Sequence, residues 1–373
     1  MPAAKKVLIV GAGVAGTILA IALRRGGVEA DMIDLYDTVL GVGVEFGGNS
    51  IRVLESLELM EDLVSEGWPY EDMTYCDNDG GVLAKAHMPR VGSPNYPTCL
   101  ALERPIFARI ARRRAADLGA TLRTGITVET LEDKGGPVEV VFTDGSKGVY
   151  DVVVGADGAK SHVRSLLFGE VPSQPLDMGC WRVFMPRPPE VTSLIAWHLS
   201  TSKVVVVPLS EGTMYMPFCE PRSNSERLAE DKLPEVFLAG IKDFGAPMVE
   251  YVRQQVRKGD CYINYRPLSA LLLPDPWYKG NSIVIGDGAH TFPPHLGSGA
   301  GMALEDAAVL AEVLLKHDQV EPAFKAFMAR RFERCKMVGD NSVQMVEWEL
   351  AGEGVQKMSA LTTETFAKLA QPI

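Results

Sequence analysis

Lys5-Lys-Val-Leu-Ile-Val-Gly11-Ala-Gly13-Val-Ala-Gly16, with Asp34 closing a second apolar run (Ala30-Asp-Met-Ile-Asp34), is the stretch that decides the fold. Val7–Val10 reads as a buried parallel strand, a helix runs from about Gly13 to Arg25, and residues 30–35 form the next strand. Gly11 permits the tight turn, Gly13 lets backbone approach a pyrophosphate, and Gly16 lets the helix pack on the strand. The helix start offers unpaired N–H groups and a positive dipole end to phosphates. Asp34 sits where it can accept hydrogen bonds from an adenosine ribose. Gly11, Gly13, Ala15, Gly16 and Asp34 are therefore the first candidate cofactor residues.

Composition narrows the function. The chain has 373 residues, enough for two or three domains, and is 46% hydrophobic and 23% charged, as in ordinary globular proteins. Lys plus Arg number 37 against 48 Asp plus Glu, a net charge of −11, which argues against nucleic acid as a partner. Arg109 and Arg112–Arg114 cluster on an expected helix and read as a solvated face. The six cysteines are scattered without metal spacing and read as reduced buried thiols. No apolar run reaches the roughly 18 residues of a membrane span and no signal segment precedes the first strand, so a cytoplasmic protein is expected, with oligomerisation left open.

Further along, a Gly-rich stretch (41–48) precedes a helix near 50–57, and residues 76–97 read as irregular. A helix over 105–118 starts with Pro105 and stops at Gly119. Strands follow at 121–131 and 138–142, joined through Gly135-Gly136, then at 148–154. Residues 176–222 are β-rich and punctuated by proline, and two helices are expected near 234–242 and 247–258. A strand at 282–285 returns to the style of the first domain, and helices over 302–316 and 322–344 precede a short helical tail.

Two later segments carry chemistry. Asp157-Gly158 ends an apolar strand before a helix. Gly286-Asp287-Gly-Ala-His290-Thr-Phe-Pro293-Pro-His295-Leu-Gly297-Ser-Gly299-Ala300-Gly301 is more specific: a strand delivers a carboxylate, two prolines stiffen the chain, and a glycine-rich loop opens a helix. Asp287 can accept from ribityl hydroxyls, and the helix start near 299–302 can support negative charge on a flavin's pyrimidine edge.

In this order and spacing, the three segments resemble the single-component FAD-dependent aromatic hydroxylases, the 4-hydroxybenzoate hydroxylase-like class A monooxygenases, over about residues 5–335. The resemblance implies an α/β fold: a Rossmann-like FAD-binding domain with an inserted antiparallel β-sheet substrate domain and C-terminal helices. We expect a discontinuous FAD domain at 1–75, 98–175 and 275–340, a substrate domain at 76–97 and 176–274, and a helical tail at 341–373. It implies bound FAD and NAD(P)H as co-substrate, with O₂ transferred to a small aromatic or N-heteroaromatic ring through a C4a-hydroperoxyflavin. A flavin reductase or epoxidase of related fold, acting on a small apolar substrate, is the alternative. The first motif then holds the ADP half of FAD, Gly286 and Asp287 the ribityl chain, Asp157 both FAD and NAD(P)H, Arg104 the diphosphate, and the Val128 backbone the adenine. The chain departs from the family at Gly288, usually alanine, and at Ser298, usually glutamine.

For the substrate, Arg182 is a candidate anion anchor, and His198, Tyr215 and Tyr265 are candidate hydroxyl partners. Alternation sets Thr213, Tyr215 and Pro217 against Met214, Met216 and Phe218, without deciding which face meets the flavin. The Pro293 carbonyl can accept from a substrate hydroxyl, and His295 can relay a proton near neutral pH. His290 reads as structural, and no metal site is expected.

Overall fold

The computed structural model of the chain describes every residue except 40, 135 and 225, so the first glycine of the expected Gly135-Gly136 turn lies outside the described residues. A six-stranded sheet is ordered Tyr278–Lys279, Ser282–Val284, Val152–Gly155, Lys6–Val10, Glu29–Asp34, Thr121–Thr124. Its pairings are parallel except at the Tyr278–Lys279 edge. The inner strands read as unbroken apolar runs because both faces are covered, and Val7, Leu8, Ile9 and Val152–Val154 are fully buried. The helices Val14–Arg25 and Gly299–Lys316 pack against each other, and the three-stranded sheet of Val128–Glu132, Val138–Phe142 and Lys147–Tyr150 joins the same core. Gly11 has φ +104°, and a Cβ on it would lie 2.3 Å from the Ala156 carbonyl oxygen. A Cβ on Gly16 would lie 1.9 Å from the Gly11 oxygen, so both positions accept only glycine.

The second large sheet has eight strands, ordered His290–Thr291, Tyr262–Leu272, Gln174–Pro186, Thr213–Pro221, Lys203–Pro208, Leu194–His198, Asp72–Asp77, Val82–His87. On one face Trp181, Val183, Met214, Met216 and Phe218 pack with Phe237, Ile241, Val249 and Val252 of the helices Leu233–Gly240 and Pro247–Lys258. The other face turns towards the first domain: Tyr215 and Thr213 bond Glu45 and Glu103. Thr213 and Tyr215 are thus on the side of the alternation that turns to the first domain. A small sheet of Gly43–Phe46, Cys99–Glu103 and Trp68–Tyr70 lies between the two units.

Several expectations are corrected. Residues 76–97 are not wholly irregular: Val82–His87 pairs with Asp72–Asp77, and the Asp77 carboxylate accepts from the Asp79 and Gly81 amides in the turn. The Asp-Gly-Gly run is hairpin punctuation rather than loop filler. Asp72–Asp77 runs through the expected 75/76 boundary, and its parallel pairing with Leu194–His198 makes the large sheet mixed. The run 121–131 is cut at Gly125 into strands of two different sheets. The run 148–154 is cut at Asp151, whose carboxylate accepts from the Lys5 and Lys6 amides. The strand Tyr262–Leu272 went unread, and the last long helix extends over Val320–Leu350, across the expected 340/341 boundary.

Candidate functional site

Gly11, Asp157 and Gly286 all follow the carboxyl ends of adjacent parallel strands, where Val10 is level with Gly155 and Gly155 with Val284. Such strand ends are where open α/β sheets bind ligands. Asp34 ends the next strand, its carboxylate accepting from the Ala12 amide at 2.8 Å and the Tyr36 amide at 2.9 Å. Arg112 corrects the solvated-face reading: it turns inward, 3.7 Å from Asp34, and donates to the Asp37 carbonyl at 2.7 Å. Asp157 accepts from the His162 and Val163 amides, capping the helix His162–Phe168, so its carboxylate is spent on the loop's shape. Arg104 donates from Nε to the Gly43 carbonyl at 3.1 Å, and its exposed guanidinium lies over Gly41. The Val128 side chain is fully buried in the core.

The Gly-Asp loop is pinned from three sides. Arg164 donates to the Gly288 carbonyl at 2.7 Å, Asp306 accepts the Gly286 amide at 2.9 Å, and His290 lies 2.7 Å from the same Asp306 oxygen. A Cβ on Gly288 would lie 2.7 Å from Val284 Cγ1, which accounts for glycine at this departure from the family. His290 is fully buried and stacked on Phe292, as befits a structural role. Asp306 also takes Arg331 Nε at 2.7 Å, while Glu305 is bridged by Arg331, Arg334 and Asn49. Burial opposes the Asp306 charge, but His290 and Arg331 hold its carboxyl at about 2. Among the described residues, His290, Asp306 and Cys335 are the one group spaced for a metal. The Arg331 guanidinium, bonded to Asp306 and 3.4 Å from Cys335 Sγ, already supplies its cation.

The residues fit an extended dinucleotide. Nothing lies within 4 Å of a Cβ built on Gly13 or Gly299, so both helix starts open onto free space. Asp287 is exposed and its carboxylate makes no hydrogen bond among the described residues. Gly297 (φ +60°) turns the chain into the helix Gly299–Lys316, with Ala300 and Gly301 in its first turn. Gly301 packs where a Cβ would lie 2.6 Å from Ser50 Oγ. Gly286 faces Ala15, 3.4 Å from Cβ to Cβ if one were added, and so joins the two motifs.

Beside this loop is a small cavity of about 20 Å³, lined by Glu45, Tyr70, Met73, Met88, Leu296, Gly297, Ser298 and Phe366. Glu45 was missed. Its carboxylate accepts from Tyr215 and, at 3.3 Å, from Tyr70, and burial raises its pKa against the lowering effect of those bonds. Arg182 shares this sheet face, across from Pro217, and makes no hydrogen bond or ion pair among the described residues. Tyr265 is corrected: its ring lies 4.8 Å from Trp181 in the core on the opposite face.

A second polar cluster unites His198 and His295 with two residues not foreseen, Lys203 and Glu349. The Lys203 ammonium lies 2.5 Å from Glu349, and His295 Nε2 lies 3.2 Å from the same oxygen without hydrogen-bond geometry. Burial, reinforced by Lys203, pushes His198 down to about 4 and lowers His295 as well. Both imidazoles are thus neutral at pH 7, and His295 titrates below the range expected of it. Burial opposes the Glu349 charge, yet Lys203 and His295 hold it at about 2. Pro293 is buried just before the turn Pro294–Leu296 that carries His295. Only weak signals marked the missed groups: a lone acid in a glycine-rich apolar run and a lone lysine opening Val204–Val207. Glu349 lies far away in sequence, on a helix read as ending earlier.

A family model described as FAD binding domain matches residues 4–323. The 2-heptyl-3-hydroxy-4(1H)-quinolone synthase of Pseudomonas aeruginosa (strain PAO1) is 28% identical over 315 residues, covering 82% of this chain and 80% of that protein. The FAD-dependent urate hydroxylase of Mycolicibacterium vanbaalenii is 27% identical over 348 residues, covering 88% and 85%. Klebsiella pneumoniae HpxO, solved with FAD and uric acid, superposes with a TM-score of 0.80 at 20% identity, covering 98% of this chain and 93% of that one. At that identity the likeness concerns the fold. No helix among the described residues is long and apolar enough to cross a membrane.

Proposed function

Since the chain belongs to the FAD binding domain family and its cofactor is FAD, we propose that it hydroxylates a small aromatic or N-heteroaromatic compound, consuming NAD(P)H and O₂. One observation carries this reading: three strand-end turns converge, and the last runs directly into the wall of a cavity that Met73 of the large sheet also lines. The quinolone synthase and urate hydroxylase among its relatives bear names of N-heteroaromatic chemistry, which supports the substrate class.

Gly11, Gly13 and Gly16 with the helix start at Val14 would hold the pyrophosphate, Asp34 the ribose, Arg104 the diphosphate charge, and Asp287 the ribityl hydroxyls. The amides opening the helix Gly299–Lys316 would meet the pyrimidine edge. When bound, the flavin supplies hydride acceptance and oxygen activation. The chain's task is to hold the ring beside it, exclude water, and manage protons. Met73, Met88, Leu296 and Phe366 supply the apolar walls. Arg182 is the anchor for a negatively polarised ring oxygen, and the neutral His295 and His198 stand beside the Lys203–Glu349 pair to donate or accept.

The test is purification of a yellow protein, followed by a panel of phenols, hydroxypyridines, quinolones and purines. NAD(P)H oxidation is scored after subtracting hydrogen peroxide released. A product that gains one oxygen atom from ¹⁸O₂ supports the reading. Efficient turnover with no oxygen gained would make the protein a flavin-dependent reductase.

A further inference from the structure

Glu45 is an acid in an unusual position. It sits mid-strand in Gly43–Phe46, level with Ala101, and has no ion-pair partner among the described residues. Its two hydrogen-bond partners are tyrosine hydroxyls from different elements, Tyr215 of the large sheet and Tyr70 of the small one. Burial, with Glu45 adding, holds both phenols well above 10, so they remain donors. Glu45 stays partly accessible, and that surface belongs to the cavity wall. Across from it a Cβ on Gly297 would lie 3.8 Å from Glu45 Oε2, which puts the acid against the loop that opens the Gly299 helix. An ionised carboxylate has about four lone-pair sites, and two are used here. The remaining acceptor capacity faces the cavity.

Resting on the hydroxylase reading above, we propose that Glu45 is the base that reads the substrate: its carboxylate takes the proton of a ring hydroxyl or ring N–H, oriented by Tyr215 and Tyr70. The substrate is then a neutral, donor-bearing aromatic or N-heteroaromatic ring. A carboxylate-bearing end is turned away from this wall, because it would meet the like charge of Glu45, which has no ion-pair partner among the described residues. In the transfer the substrate O–H or N–H bond breaks and a Glu45 O–H bond forms. The electron pair stays on the ring, making its carbons more nucleophilic. After oxygen insertion, the same proton returns to the product oxyanion. Burial serves this role, since an acid with a raised pKa is a stronger base once ionised.

The titratable groups facing Glu45 are Tyr70, Tyr215 and Cys99, and the charges of Arg182 and Arg104 act on Tyr215. None of the phenols or the thiol ionises below pH 8, as Cys99 is pushed up to about 12 by burial first of all. A binding transition above the ordinary carboxylate range, followed over pH 5 to 8 and lost in Glu45→Gln, therefore belongs to Glu45 rather than to these groups.

The test uses the FAD-loaded full chain and matched probes: phenol and anisole, 2-naphthol and 2-methoxynaphthalene, 2-quinolone and N-methyl-2-quinolone. Binding is read as perturbation of flavin absorption across that pH range. At least one donor probe should bind tighter than its methylated partner by on the order of 10- to 100-fold, the strength of a hydrogen bond to a charged acceptor. Its affinity should rise as pH climbs through the Glu45 pKa. Glu45→Gln should abolish both the preference and the pH transition while keeping FAD and an undiminished melting temperature at pH 8. The proposal is overturned if no donor probe binds, if methylated partners bind equally, or if Glu45→Gln melts lower yet keeps the pH transition. Oxygen incorporation by the unaltered protein is measured on the same preparation, so failure of the hydroxylase reading is seen separately.

Discussion

Arg182 and Asp34 show how one side chain's partners separate a folding role from a binding role. Arg182 holds a guanidinium on an enclosed sheet face with no hydrogen bond or ion pair among the described residues. A half-buried guanidinium without an ion-pair partner adds little to stability. Arg182→Met should therefore leave the melting temperature unchanged or raise it, while weakening binding of rings that carry an oxyanion. Calorimetry and probe titration on one sample check both halves, and a lower melting temperature would make Arg182 structural. Asp34 is different, because its carboxylate already holds the Ala12 amide and leans on Arg112. Asp34→Ala should cut FAD affinity by about 10-fold or more, through loss of charge-assisted bonds to a ribose. Dialysis followed by the flavin-to-protein absorbance ratio reads this directly.

Among the elements, the helix Gly299–Lys316 links cofactor site and scaffold. Ser298, just ahead of its first turn, lines the cavity, while Glu305 and Asp306 bind Arg331 of the helix Val320–Leu350. Asp306 in turn holds the Gly286 amide. Arg331 is fully buried, so Arg331→Met would leave Asp306 with only His290 and Glu305 with only Arg334 as charge partners. Removing one partner of a buried pair costs about 3–5 kcal/mol. We expect a loss of that size in urea unfolding, with weaker FAD retention because the Gly-Asp loop loses its anchor. A loss under about 1 kcal/mol would show that the pair is not stabilising as argued.

At the scale of the molecule, buried acids set the acid limit of stability. Asp306 and Glu349 are each held at about 2, below their ordinary values. Their contribution is complete above the ordinary carboxylate range and drains away as pH falls from there to about 2. Glu45 acts oppositely, since its raised pKa makes the charged form a small burden above that range. The urea midpoint should thus fall steeply between about pH 4 and 2, and Lys203→Met should flatten part of that fall by freeing Glu349 from its depressed value. An unchanged slope in Lys203→Met would contradict the Lys203–Glu349 coupling.

How much was legible in advance follows from the range of the forces involved. The glycine motif, Asp34, Asp157-Gly158 and the Gly286–Gly301 run were readable because backbone φ limits, helix starts and strand ends act within a few residues of one chain segment. The hairpin at 72–87 is masked because Gly and Asn mark irregular loops and hairpin turns alike, and the cut at Gly125 depends on which sheet each half joins. Glu45, Lys203, Glu349 and the unpaired Arg182 acquire meaning only from neighbours tens to hundreds of residues away. Burial and charge pairing are properties of three-dimensional surroundings, and no local pattern encodes them. The sequence by itself determined the strand-end turns proposed to cradle the cofactor, while the tertiary structure alone decided which acids and bases surround the cavity, because desolvation exists only once the chain has closed around them.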